Sequence, residues 1–134
     1  MTKEYTIKVR ITDDGPARDS QTLGTVGSSN FRVDMYPAPD GAPMVDVLAH
    51  ELGHVLANIM DTPANAKDPR VVAAKNHIGE TWHTMARLFG VSNSEAQRMV
   101  DAETEAWEIG KKIHPGTRKE SVEFALGTYR KHLG

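Results

Sequence analysis

His50 and His54 stand four residues apart, and Glu51 directly follows the first of them. On a helix, residues i and i+4 share one face, so the two imidazoles project side by side and can hold one metal ion. Glu51 falls on the flank of the same site, where a carboxylate can take a proton from a water activated at the metal. The chemistry open to these residue types is metal-assisted hydrolysis. The competing reading is a surface helix carrying two unrelated histidines, and the surrounding residues decide between them.

From Met44 to Met60 the chain places Val45, Leu48, Leu52, Val55, Leu56 and Ile59 on one helical stripe. His50 and His54 fall on the opposite side, in the company of Val47, Gly53 and Ala57. A helix apolar on one side, with histidines among small residues on the other, is expected to be covered on both. Gly53 costs about 1 kcal/mol relative to alanine in a helix interior. Close approach of another backbone beside the site would account for it. The Pro37–Pro43 stretch, with three prolines and a glycine, is a turn-rich loop leading into this helix.

Catalytic zinc usually takes three protein ligands and keeps one position for water. A third histidine in the pattern HExxHxxGxxH is ruled out, because the relevant positions are Ala57 and Met60. A glutamate on a later helix is the other solution. Ser92 and Glu95 form a capping box, with Val91 ahead of the cap, and open a helix that runs to Ile113. Its apolar stripe is Ala96, Met99, Val100, Ala106, Trp107, Gly110 and Ile113, and Glu103 lies in the middle of that stripe. Asp101, Glu105, Glu108 and Lys112 lie on the other side. A carboxylate centred on an apolar face needs a partner, since burying an unpaired charge costs several kcal/mol. Zinc is one such partner; a buried Arg10, Arg32 or Arg87 is the alternative. Glu105 is a second candidate ligand, but its helical phase is wrong.

These residues resemble the gluzincins, whose signature is HExxH on one helix and a glutamate ligand on a following one. His50-Glu51-Leu52-Gly53-His54 together with Glu103-Thr104-Glu105-Ala106 looks most like the small ImmA/IrrE-type metallopeptidases, which commonly read HELGH and then a Glu-x-x-Ala helix. The resemblance implies that His50, His54 and Glu103 bind one Zn2+ per chain and that Glu51 is the general base. It covers the two motif helices and the strand-before-helix layout, roughly a third to half of the chain. Two departures stand out. Trp107 occupies a position where the family usually has Asn or Asp, and 48 residues separate His54 from Glu103. The implied fold is α+β: a compact zincin-like domain with a small N-terminal sheet, the active-site helix and three further helices.

The 134 residues suit a single domain, with strands and loops over 1–40 and helices over 41–134. A net charge of −2 gives no electrostatic case for nucleic acid or an anionic membrane as partner. No apolar run is long enough to span a bilayer, the N-terminus lacks the apolar core of a secretory signal, and there is no cysteine. A cytoplasmic protein is the expectation. Tyr5, Ile7, Val9 and Ile11 alternate with polar residues in a half-buried strand, and Phe31, Val33 and Met35 alternate in a second. Leu23–Gly27 is a short third strand or a loop. Asp68 and Pro69 open a helix running to Phe89, with Val71, Ala74, Ile78, Trp82, Met85 and Phe89 inward and His77, Glu80 and His83 on a solvated face. Thr117 and Glu120 cap a last helix that packs through Val122, Ala125, Leu126, Tyr129 and Leu133.

The expected activity is that of a zinc metalloendopeptidase acting on a peptide or protein substrate, with Glu51 shuttling the proton. Tyr129 and His114, with Tyr36 and His83, are the candidate donors to the oxyanion. Phe31, Val33 and Met35 mark the strand expected to pair, as an exposed edge, with extended substrate. Two rivals remain: a non-catalytic zinc-containing regulatory module, and a latent peptidase whose own tail, with His132, closes the cleft.

Overall fold

The computed structural model describes residues 3–130. Three strands come first: β1 (Thr6–Ile11), β2 (Gln21–Leu23) and β3 (Asn30–Met35). They form one mixed sheet in the order β1-β3-β2, with β1 parallel to β3 and β2 antiparallel to it. Six helices follow: α1 (Met44–Met60), α2 (Pro63–Lys67), α3 (Pro69–Lys75), α4 (Gly79–Phe89), α5 (Asn93–Ile113) and α6 (Lys119–Arg130). This is the α+β arrangement of a small N-terminal sheet followed by the histidine-bearing helix, with five further helices where three were expected.

The alternation in β3 puts Phe31, Val33 and Met35 on the face that α1 covers, and Val55 of α1 completes that core. The edge-strand expectation is therefore corrected. β3 is the central strand, hydrogen-bonded on both sides, and its three apolar side chains are buried in the core rather than offered to a substrate. Ile7, Val9 and Ile11 sit in register beside them, on the same face, yet are exposed. The reason is where α1 lies, over β3 and β2, which leaves β1 as the uncovered outer strand.

The helix expected over 68–89 is two helices. His77 takes a left-handed backbone (φ 58°), which ends α3 and redirects the chain into α4. The break takes Ile78, Met85 and Phe89 out of the core, and Phe89 is 76% exposed. α4 packs on α3 and is tied to α5 by Trp82, whose Nε1 donates to Glu95 (3.0 Å).

α5 is capped as its sequence demands, the Ser92 hydroxyl accepting from the Glu95 N–H at 3.2 Å. α6 is capped from a distance. Asp46 of α1, fully buried, accepts from the Arg118 N–H (3.0 Å) and from Ser121 Oγ (2.9 Å), a role the sequence reading gave to Thr117 and Glu120. Trp107, Val122 and Leu126 form a second core between α5 and α6. His132 and Leu133 lie outside the described residues.

Candidate metal centre

The site is made where α1 crosses α5, and glycine permits the crossing. A Cβ on Gly53 would lie 2.1 Å from the Ala106 carbonyl oxygen, and one on Gly110 would lie 2.9 Å from that of Ala49. The two backbones are in contact at both points, so side chains one turn away meet directly. α1 contributes His50, Glu51 and His54, whose ligand atoms all lie within 4.8 Å of one another. α5 contributes Glu103, which is 2% exposed. Its Oε2 lies 2.8 Å from His50 Nε2 and 2.9 Å from His54 Nε2.

The other carboxylate oxygen has its own partner. Glu103 Oε1 accepts from Arg70 Nη1 at 3.0 Å. The partner is thus neither Arg10, Arg32 nor Arg87; Arg32 instead pairs with Asp34. Arg70 is held in turn by Asp68, which accepts from its Nε (3.0 Å) and Nη2 (2.8 Å) while capping α3 through the Arg70 N–H. The Tyr129 hydroxyl completes the group, 3.4 Å from Arg70 Nη1.

Burial alone would raise the Glu103 pKa. The charges of His54 and Arg70 and hydrogen bonds from both imidazoles outweigh it and hold the carboxyl well below the usual carboxylate range. Burial would lower the pKa of His54, but the adjacent Glu103 charge and hydrogen bond raise it. Tyr129 is pushed up by burial first and by the Glu103 charge second, so its phenol stays protonated as a donor.

The donor set suits a divalent cation. Two imidazole nitrogens converge on one carboxylate oxygen, a nitrogen and oxygen set appropriate to zinc. Ligand atoms around a tetrahedral zinc stand ~3.3 Å apart when the bonds are about 2.0–2.1 Å long. The observed 2.8 and 2.9 Å separations therefore need only a small outward shift. The buried carboxylates of Asp68 and Glu103 share the Arg70 guanidinium, and Glu51 is a further buried carboxylate in the lining of the same cavity.

Glu51 is also buried and lines a cavity together with both imidazoles. Thr22 of β2 brings its hydroxyl to 2.6 Å from Glu51 Oε2, where it donates. A cavity of about 710 Å³ opens onto the group, walled by β2 on one side and by residues of α3 and α6 on another. Of the four candidate donors, Tyr129 and His83 line this cavity. Tyr36 lies under the Arg18 guanidinium (4.3 Å), and His114 stands 3.5 Å from Asp46 at the α6 junction, neither of them among the lining residues. Glu105 is turned to the Thr62 hydroxyl, as its helical phase requires.

Trp107 lies flat against the His50 ring, centroids 4.2 Å apart and planes 9° apart. The stacked indole fixes the imidazole plane by contact rather than by a hydrogen bond, and among the described residues the indole N–H has no partner.

Comparisons with protein-family models, with curated proteins and with solved structures find no match. The site thus stands on its own geometry: a His-Glu-x-x-His cluster with a buried acidic partner, the arrangement of a zincin-like metal site. Sequence reasoning missed Thr22 and Arg70. Arg70 carried a signal, because a cation in the first turn of a helix opposes the helix dipole and needs another reason to be there.

Proposed function

We propose that the protein is a zinc-dependent metalloendopeptidase of gluzincin type, with His50, His54 and Glu103 as ligands and Glu51 as general base. The observation that supports it most is the meeting of both imidazole Nε2 atoms on one oxygen of Glu103, a residue from a different helix. The ImmA/IrrE-like reading rests on the HELGH and Glu-x-x-Ala segments.

Zinc, when bound, supplies the Lewis acidity that lowers the pKa of a water towards about 7 and polarises the scissile carbonyl. Glu51 accepts the proton of the attacking water and returns it to the leaving amine. The Thr22 hydroxyl keeps the Glu51 side chain oriented through both transfers. Tyr129 and His83 are the two candidate oxyanion donors that line the cavity. The strand-pairing role expected of β3 passes to β2, which has one free edge and forms a wall of the same cavity.

A non-catalytic zinc module of the same fold has no use for a buried carboxylate that flanks the ligands and faces a cavity, so Glu51 favours the enzyme. The test is Glu51→Gln assayed on a degenerate peptide library. Zinc content should stay at the wild-type level while cleavage falls by about 100-fold or more. Undiminished cleavage by the variant overturns the assignment. A zinc-loaded wild type that cuts nothing in the library counts against the active enzyme and leaves the non-catalytic module and the latent peptidase.

A further inference from the structure

Among the groups around the cavity, Arg70 has the densest set of constraints and no place in the hydrolytic scheme. It sits at the second helical position of α3, directly after Pro69, whose ring fixes the backbone at the helix start. Asp68, 3% exposed, binds the guanidinium through both carboxylate oxygens: Nε lies 3.0 Å from Oδ1 and 3.2 Å from Oδ2, and Nη2 lies 2.8 Å from Oδ2. The same carboxylate accepts from the Arg70 N–H at 2.9 Å. Cap, proline and fork form one rigid unit. It leaves Nη1 free to point at Glu103 Oε1 (3.0 Å) with the Tyr129 hydroxyl beside it (3.4 Å).

The two oxygens of Glu103 are thereby given different work. Oε2 meets the imidazoles and Oε1 is committed to the guanidinium. A carboxylate with both oxygens free can chelate a metal through the pair, taking two positions and leaving less room for water.

We propose that Arg70 is a positioning residue that restricts Glu103 to a single ligating oxygen, so that the metal keeps an open position. This inference rests on the metal-site reading above. Such outer partners orient the ligand and typically change metal affinity by about 10–100-fold when removed. A lysine keeps the charge but lacks the planar fork, and cannot hold Asp68 and Glu103 in this geometry together.

The experiment loads the metal-free full-length chain with Co2+ and records its visible absorption, with affinity for Co2+ and Zn2+ measured by competition with a chelator. Four-coordinate Co2+ absorbs strongly and five- or six-coordinate Co2+ weakly. The wild type should give the strong band. Arg70→Met should lose most of that intensity and bind both metals about 10–100-fold more weakly, with Arg70→Lys between the two. Circular dichroism reports which variants fold. A wild-type band and affinity in Arg70→Met, or in Arg70→Lys where the methionine variant is unfolded, overturns the positioning role and leaves the metal site standing. A wild type that binds neither metal overturns the site itself, and this inference with it.

Discussion

Gly53 of α1 lies against the carbonyl of Ala106 in α5, so closely that a Cβ there would come within 2.1 Å of the oxygen. The contact sets the separation of the two helices and hence the meeting of Glu103 with His50 and His54. Gly53→Ala should destabilise the fold by about 1–3 kcal/mol, because overpacking against rigid backbone outweighs the gain in helix propensity. Gly127 of α6, where an added Cβ meets open space, provides the contrast. Gly127→Ala should stabilise by about 0.4–1 kcal/mol. Urea midpoints that move in the same direction for both variants would contradict the packing argument.

Thr22 links the sheet to Glu51, the proposed base. Thr22→Val keeps the shape and removes the donor 2.6 Å from Glu51 Oε2. A general base that is no longer held in line should cost roughly 10–100-fold in kcat, with zinc content unchanged. Thr22→Ser should keep most of the rate. Loss of zinc in Thr22→Val would show that the residue supports the ligands rather than the base.

The stacked pair of Trp107 and His50 predicts a dependence on ring shape. Trp107→Ala should cost about 3–5 kcal/mol of stability and weaken metal binding. Trp107→Phe keeps an aromatic face on the imidazole and should retain most of the affinity. Equal affinity in the two variants, read by chelator competition, would remove the stacking from the account.

Without metal, the buried pair sets a pH window. The Glu103 pKa lies well below its ordinary 4.5 in the folded protein, and the His54 pKa lies above its ordinary 6.5. The contribution of Glu103 is present above pH 4.5 and lost as pH falls through its folded value; that of His54 is present below pH 6.5 and lost as pH rises through its folded value. The pair therefore makes the metal-free protein most resistant to urea between pH 4.5 and 6.5. Glu103→Gln should flatten both flanks. A wild-type midpoint that continues to climb above pH 6.5 would contradict the coupling.

The parts legible in the sequence were those set by local periodicity. α1 and α5 follow from the apolar stripes and the Ser92 cap, and Glu103 was singled out because a carboxylate centred on an apolar stripe demands a partner. A glycine in a helix interior, Gly53, signals close backbone approach, and Ala106 lies there. Strand order was not legible. That β1 pairs in parallel with β3, and β2 on its far side, depends on contacts distant in sequence, so β3 passed for an edge. The break at His77 escaped because a left-handed backbone at a non-glycine residue leaves no compositional mark. Arg70 is hidden for a related reason: periodicity marks only the apolar members of α3, and the charged residue beside Pro69 faces the site only once α3 is placed against α5.

Metal content by elemental analysis reads out whether the three proposed ligands, drawn from two helices, hold one zinc. The wild type should hold about one zinc per chain, lost in Glu103→Ala and retained in Glu105→Ala, where the native side chain is turned to Thr62. A wild type that takes up no zinc when it is supplied, or a Glu103→Ala protein that keeps it, would contradict the account.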